Sequence, residues 1–278
     1  MKGNDADAIK ALESAIDKTI PRVALNELHT SKIGYHAEGE AALALSLRGC
    51  EMVDVPEVLW ELTSLEVLSL GENEIASLPE KIGGLKELKR FYLFNNPITS
   101  LPNTITKLEH LEVLDIGHNR LSSIPDSIGD LKKLEFLYIS DNQLSDLPES
   151  ISKLDNLVYL SMTHNLFAQL PAAVCGLRQL KELRAYNNQL TELPDKISKL
   201  TELRELHLRD NRLEALPEAI GELRNLYYLD LRENELTELP ESIGKLKELR
   251  KLDLRWNQLV LSPRAFKEFV EKKVMLFS

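Results

Sequence analysis

The chain has 278 residues, 43% of them hydrophobic and 28% charged, a composition that folds in water. Its net charge of −10 argues against a nucleic-acid binder and against a generic binder of anionic membranes, both of which carry a basic excess. No run approaches the roughly 18 apolar residues of a membrane span, and the acidic N-terminus MKGNDADAIKALESAIDK lacks the apolar stretch of a secretory signal.

The first element in chain order is a helix. DADAIKALESAIDKTI, residues 5–20, sets Ile9, Leu12, Ile16 and Ile20 near helical spacing, and Pro21 stops or bends it. A second short helical segment follows at 22–29. Residues 1–40 together predict an N-terminal helical cap that covers an edge strand around Leu43, Leu45 and Leu47.

From 41 to 262 one unit recurs. Asn occupies positions 73, 96, 119, 142, 165, 188, 211, 234 and 257, always 23 apart, and Cys50 stands one period earlier. Six residues after each of these ten positions comes a proline, from Pro56 to Pro263. A fixed period in this range means a solenoid of stacked units. In the unit LEVLSLGENEIASLPEKIGGLKE, residues 65–87, Leu68 and Leu70 alternate with small or polar residues as a half-buried strand requires. Ile75, Leu78, Ile82 and Leu85 then point inward from a short return, in which Pro79 sits where an N–H is not needed.

The Asn column has a physical reason. At the corner where the chain leaves the strand, backbone groups lose their sheet partners. An Asn side chain offers two donors and an acceptor, enough for its own turn and the adjacent one. Cys50 breaks the column in the first unit, where no earlier turn needs serving; the alternative is a reactive thiol. Cys50 and Cys175 are the only cysteines, too few for a disulfide framework, and no Asn-x-Ser/Thr sequon occurs. Both facts fit a reducing, cytoplasmic setting, with export into a host cell left open. After Pro263, RAFKEFVEKKV places Phe266, Phe269, Val270 and Val274 on one face, predicting a capping helix over 263–278.

LxxLxLxxNxLxxLPxxIxxLxx resembles the leucine-rich repeat family in its 23-residue LPxxI form, over ten units from 43 to 263. It is similar to the intracellular Ras-group repeat proteins and to bacterial leucine-rich repeat proteins. The resemblance implies an α/β solenoid, a right-handed horseshoe with one curved parallel sheet on its concave face and irregular segments outside. It also implies that the concave sheet binds another protein. No kinase, GTPase or ligase domain follows the repeats, so no enzymatic activity carries over.

The frame leaves five columns free, at −6, −4, −2, −1 and +1 from each Asn. Half of the chain's aromatics fall there: Tyr92, Phe94, Phe136, Tyr138, Tyr159, Tyr186, Tyr228 and Trp256. Gly71 and Gly117 flank Phe94 in its column and leave its ring uncovered. Phe136, Tyr138 and Tyr159 fall on consecutive strands about 4.8 Å apart. Aromatics clustered on an open face are candidate anchors for a partner; they also pair across strands for purely structural ends. Toward the C-terminus Arg209, Arg232 and Arg255 stack at −2, beside Arg184, His207, Asp230 and Asp253 at −4. Glu182 and Glu205 stand close by. This is either a salt-bridge lattice or a docking strip for an acidic or mixed-charge segment. The partner-binding candidates are thus Tyr92, Phe94, Phe136, Tyr138, Tyr159, Arg184, Tyr186, His207, Arg209, Arg232, Arg255 and Trp256.

Ser140, Asp141 and His164 could meet as a hydrolase triad, but nothing around them supplies an oxyanion hole. His118 and His164 lie two strands apart, too far to share a metal ion. With no P-loop, GxGxxG or CxxC, no cofactor is expected. The sequence reads as a non-catalytic, monomeric interaction module with a protein partner on the concave face. Recognition of a small ligand or peptide by the aromatics, or substrate recognition within a secreted bacterial effector, are the other readings.

Overall fold

The computed structural model describes residues 5–28, 32–259 and 274–277. The chain divides into two compact units at the Tyr138/Ile139 peptide.

The first unit opens with helices α1 (Asp5–Ile16) and α2 (Leu25–Leu28). Six strands follow: β1 (Ile33–Glu38), β2 (Ala41–Leu47), β3 (Val67–Ser69), β4 (Arg90–Tyr92), β5 (Val113–Asp115) and β6 (Phe136–Tyr138). From β2 onward they pair in parallel, each with the next, at an offset of one 23-residue period: Leu45↔Leu68, Leu68↔Phe91, Phe91↔Leu114 and Leu114↔Leu137. These five side chains are wholly buried. Phe91 takes a leucine slot in that row and is core.

The second unit holds β7 (Tyr159–Ser161), β8 (Glu182–Arg184), β9 (Glu205–His207), β10 (Tyr228–Asp230), β11 (Lys251–Asp253) and β12 (Met275–Phe277), again parallel. Its buried row is Leu160, Leu183, Leu206, Leu229 and Leu252.

The returns are 3₁₀ turns of three to five residues, such as Glu80–Gly84 and Asp195–Lys199. Pro79 precedes the first of these in extended conformation, and the chain tightens by i→i−3 bonds from Ile82 to Pro79 and from Leu85 to Ile82. Proline fits because its missing N–H falls where the turn has no acceptor for it.

Each corner is tied by its Asn. Asn96 Oδ1 accepts from Ile75 N–H in the preceding coil, while Nδ2 donates to Leu70 O in that coil and to Leu93 O in its own. The pattern repeats at Asn211, which accepts from Leu190 N–H and donates to Ala185 O and Leu208 O. Asn73 serves two amides at once, those of Cys50 and Met52. Cys50 is therefore a recipient, and its thiol is buried, with burial pushing its pKa up.

The N-terminal cap differs from the expected helical one. Helix α1 does bury Ala8, Ile9 and Leu12, and Asp5 accepts from the Ala42 N–H. Residues 33–38, however, form a strand antiparallel to β2, with Ile33↔Leu47 and Glu38↔Ala41 in register. An edge strand leaves a row of open N–H and C=O groups, and only another extended segment can pair with them. The new edge is covered in turn: Tyr35 N–H donates to Pro21 O, and Val23 N–H to Tyr35 O.

At the other end the expected helix face Phe266, Phe269 and Val270 lies outside the described residues. Val274 is buried, and 275–277 adds a strand beside β11 where a helix was expected.

Removing one Asn should strand a backbone amide and two carbonyls. Asn211→Ala is expected to lower stability by about 1–3 kcal/mol, and Cys50→Ser by less. Urea melts of both variants, with unchanged m-values, check the order.

Candidate interaction surface

The −1 residue of every coil, from Glu72 to Trp256, has a left-handed backbone, with φ between 52 and 60°. The corresponding residue of the first coil is Gly49. This conformation costs an ordinary side chain roughly 1–2 kcal/mol, least for Asn and Asp. Asn95, Asp141, Asn187 and Asp210 fit that preference. Trp256 does not, and it is 64% exposed. Its neighbour Arg255 lies over both the Trp256 ring and the Phe277 ring, at 5.1 and 5.2 Å. A bulky, exposed aromatic in a backbone state it disfavours marks this corner as a candidate contact point.

In the first unit, Tyr92, Phe94, Phe136 and Tyr138 all stand half-buried on the strand face. Phe94 is not uncovered as expected. Its ring lies across Gly71, where an added Cβ would come within 2.8 Å of it. Arg48 stacks above the ring at 5.1 Å and donates to Glu72 at 2.5 Å. The glycine makes room for an aromatic from the next strand and a guanidinium from the previous one. With Leu28, Ser46, Val67, Ser69 and Tyr92, these two side chains line a cavity of about 220 Å³. Tyr92 and Phe94 are thus two walls of one hollow. Arg48, Ser46 and Leu28 were missed. The signal was a large–small–large run down one column: Arg48, Gly71, Phe94.

Asp115 sits between Tyr92 and Tyr138 on neighbouring strands and accepts from the Gly117 N–H at 3.1 Å. Burial lifts its carboxyl above the ordinary range, against the pull of that hydrogen bond.

The second unit carries charge. Arg184 lies over Tyr159, and Arg209 over Tyr186, at 5.5 and 5.4 Å. His164 meets Tyr186 edge-on, and His207 meets Tyr228 in the same way. Burial lowers the His207 pKa, and it pushes the Tyr228 phenol up to about 12. Asp230 and Asp253 are only 3% and 1% exposed. Each is gripped by the arginine two residues on: Arg232 on Asp230 at 2.8 and 2.6 Å, and Arg255 on Asp253 at 2.9 and 2.7 Å. Burial alone would raise the Asp230 pKa, but the Arg232 hydrogen bonds outweigh it and hold the group low. Arg232 and Arg255 therefore spend their donor forks inside the chain. Arg209 has no carboxylate partner among the described residues.

Ser140, Asp141 and His164 do not form a relay. The Ser140 hydroxyl lies 3.5 Å from that of Ser161. The His164 imidazole is 2.8 Å from the Asn187 amide and 3.9 Å from Asp141.

Parallel strands one 23-residue period apart, tight 3₁₀ returns and a buried or part-buried Asn at every corner after the first define a repeat solenoid. A family model for a leucine-rich repeat region matches residues 136–212 and 195–268, and another leucine-rich repeat model matches 87–144. The chain belongs to the leucine-rich repeat proteins. Among solved structures, it is 27% identical to a TDR receptor (TM-score 0.75), covering 85% of this chain and 42% of that one. The Arabidopsis receptor kinase HAESA, solved with the peptide hormone IDA and the co-receptor SERK1, is 28% identical (TM-score 0.73; 92% and 44% covered). The plant peptide hormone receptor RGFR1 in complex with RGF2 is 31% identical (TM-score 0.63; 80% and 40% covered). The chain spans less than half the length of these three. No curated protein matches the sequence. Among the described residues no helix is long and apolar enough to cross a membrane.

Asp115 and Asp230 predict opposite pH effects. A carboxyl raised by folding contributes stability that is full at low pH and lost as pH rises through its raised value; a lowered one contributes stability that is lost as pH falls. Asp115→Asn should melt at or above wild type at neutral pH, with the difference vanishing in acid. Asp230→Asn should cost about 2 kcal/mol at neutral pH, shrinking as pH falls. Thermal melts across a pH series test both.

Proposed function

We propose that the chain is a non-catalytic binding module that takes a protein or peptide segment on its strand face. The supporting observation is the contrast between the two sides of each strand. The leucine rows are wholly buried, whereas the intervening columns hold part-exposed Tyr, Phe, Trp and Arg, the residue types that dominate binding hot spots. HAESA was solved with the peptide hormone IDA, and the peptide hormone receptor RGFR1 with RGF2; a similar use of the fold here is our reading. The contacts we assign are Tyr92, Phe94, Phe136 and Tyr138 in the first unit, and Tyr159, Arg184, Tyr186, His207, Arg209 and Trp256 in the second. Arg232 and Arg255 act by holding the face in shape. We further assign the chain to the LPxxI, Ras-group-like repeats, acting as a monomer in the cytoplasm, where its two buried thiols stay reduced. Its organisation is a cap over 1–40, ten repeats over 41–262 and a closing segment over 263–278.

The hollow beside Phe94 favours a side chain over a free small molecule. At about 220 Å³ it is smaller than the roughly 300–1,000 Å³ of a small-molecule pocket.

A displayed random-peptide library panned on the wild type should yield binders that lose at least about tenfold in affinity, 1.4 kcal/mol, against Tyr186→Ala/Arg209→Ala/Trp256→Gly. Equal affinity for both proteins would defeat the assignment. Trp256→Gly alone should leave the melting midpoint unchanged or raised, since glycine takes the left-handed backbone without strain.

A further inference from the structure

Glu182 on β8 and Glu205 on β9 stand directly opposite each other, and like charges so placed repel. Farther along the sheet, Asp230 and Asp253 are each neutralised by a two-pronged arginine. Glu182 receives one hydrogen bond, from Arg184 Nε at 2.5 Å. Glu205, among the described residues, is met by His207, whose Nε2 lies 3.1 Å from its Oε2. The same nitrogen is 3.7 Å from Glu182 Oε1. One imidazole nitrogen thus sits between two facing carboxylates, and a ligand atom from each of the three residues lies within 4.8 Å of the others.

That spacing suits an ion. Zn–N and Zn–O bonds of about 2.0–2.2 Å place neighbouring ligand atoms roughly 3–4 Å apart around one centre. Small side-chain adjustments on two hydrogen-bonded strands would close the remaining gap. The group is partly shielded, with the His207 side chain 14% exposed. The Tyr228 ring, edge-on at 5.0 Å, fixes the imidazole plane. Arg184 holds Glu182 in place while its guanidinium rests on Tyr159, the kind of outer support that ligating carboxylates receive. Two carboxylates and a neutral imidazole also balance a dication.

We propose that Glu182, Glu205 and His207 form a three-ligand site for a divalent first-row transition ion, Zn²⁺ by preference, with its remaining positions open. An imidazole nitrogen among the ligands disfavours Mg²⁺ and Ca²⁺, which take oxygen. The site does not depend on the partner-binding reading.

The test is calorimetric titration of the chelator-stripped full chain with ZnCl₂ at neutral pH, with MgCl₂ in parallel and no partner present. One equivalent of zinc should bind with micromolar or tighter affinity, and magnesium should give no saturable heat. Glu182→Gln, Glu205→Gln and His207→Gln should each abolish the zinc isotherm, whereas His118→Gln and His164→Gln should leave it intact. Circular dichroism melts establish that each variant is folded; if His207→Gln is not, the two Glu→Gln variants decide. Absence of saturable zinc binding by the wild type, or undiminished binding by both Glu→Gln variants, would overturn the proposal.

Discussion

The bond between each corner Asn and the coil before it is the constraint on which the rest depends. Where a strand ends, the backbone turns inward and its amides leave the sheet while still buried. Water cannot reach them, and an unpaired buried amide costs about 1–3 kcal/mol. The carboxamide of Asn96 meets the need on both sides, taking the Ile75 N–H and giving to Leu70 O and Leu93 O. With the corners held, the leucine rows close on one another, and the strands can be as short as three residues.

Such a frame decides what the surface can carry. Three outward strand positions per coil are open, and a fourth is limited by its left-handed backbone. The first unit fills them mostly with rings, hydroxyls and small or aliphatic residues, with Arg48, Arg90 and Asp115 as its charges, so that Phe94 can fold over Gly71 beneath Arg48. The second fills them with charge, part of it structural. Asp230 and Asp253 are carboxylates in the wall of the protein, tolerable because each has an arginine beside it along the same strand. Arg232 also lies 3.5 Å from Asp253 of the next coil, so the two pairs join into one network.

Much of this was legible in the residues. The period, the strands, the short returns and the role of Asn follow from an ungapped 23-residue spacing, because a side chain needed at every corner must recur at every corner. The caps were less legible. Helix α1 announced itself through Ile9 and Leu12, whereas β1 was missed although IGYHAE alternates Ile33, Tyr35 and Ala37 with Gly34, His36 and Glu38, a run that becomes a strand because β2 has an edge to fill. Side-chain pairings within the open columns were the hardest to read. That Arg232 would turn to Asp230 on its own strand, or that His207 Nε2 would fall between Glu182 and Glu205, depends on rotamers and register, and column membership alone does not specify them.

The corner bonds also have a direction. Asn96, Asn211 and Asn257 each reach back to the preceding coil, so at these corners the main chain leans on the side chain of the coil that follows it, while the strand amides and carbonyls bond neighbours on both sides. Peeling away a leading coil frees a side chain, which can rotate out and hydrate. Peeling away a trailing coil uncovers main-chain groups that cannot move. The two ends are therefore unequal in how they fray.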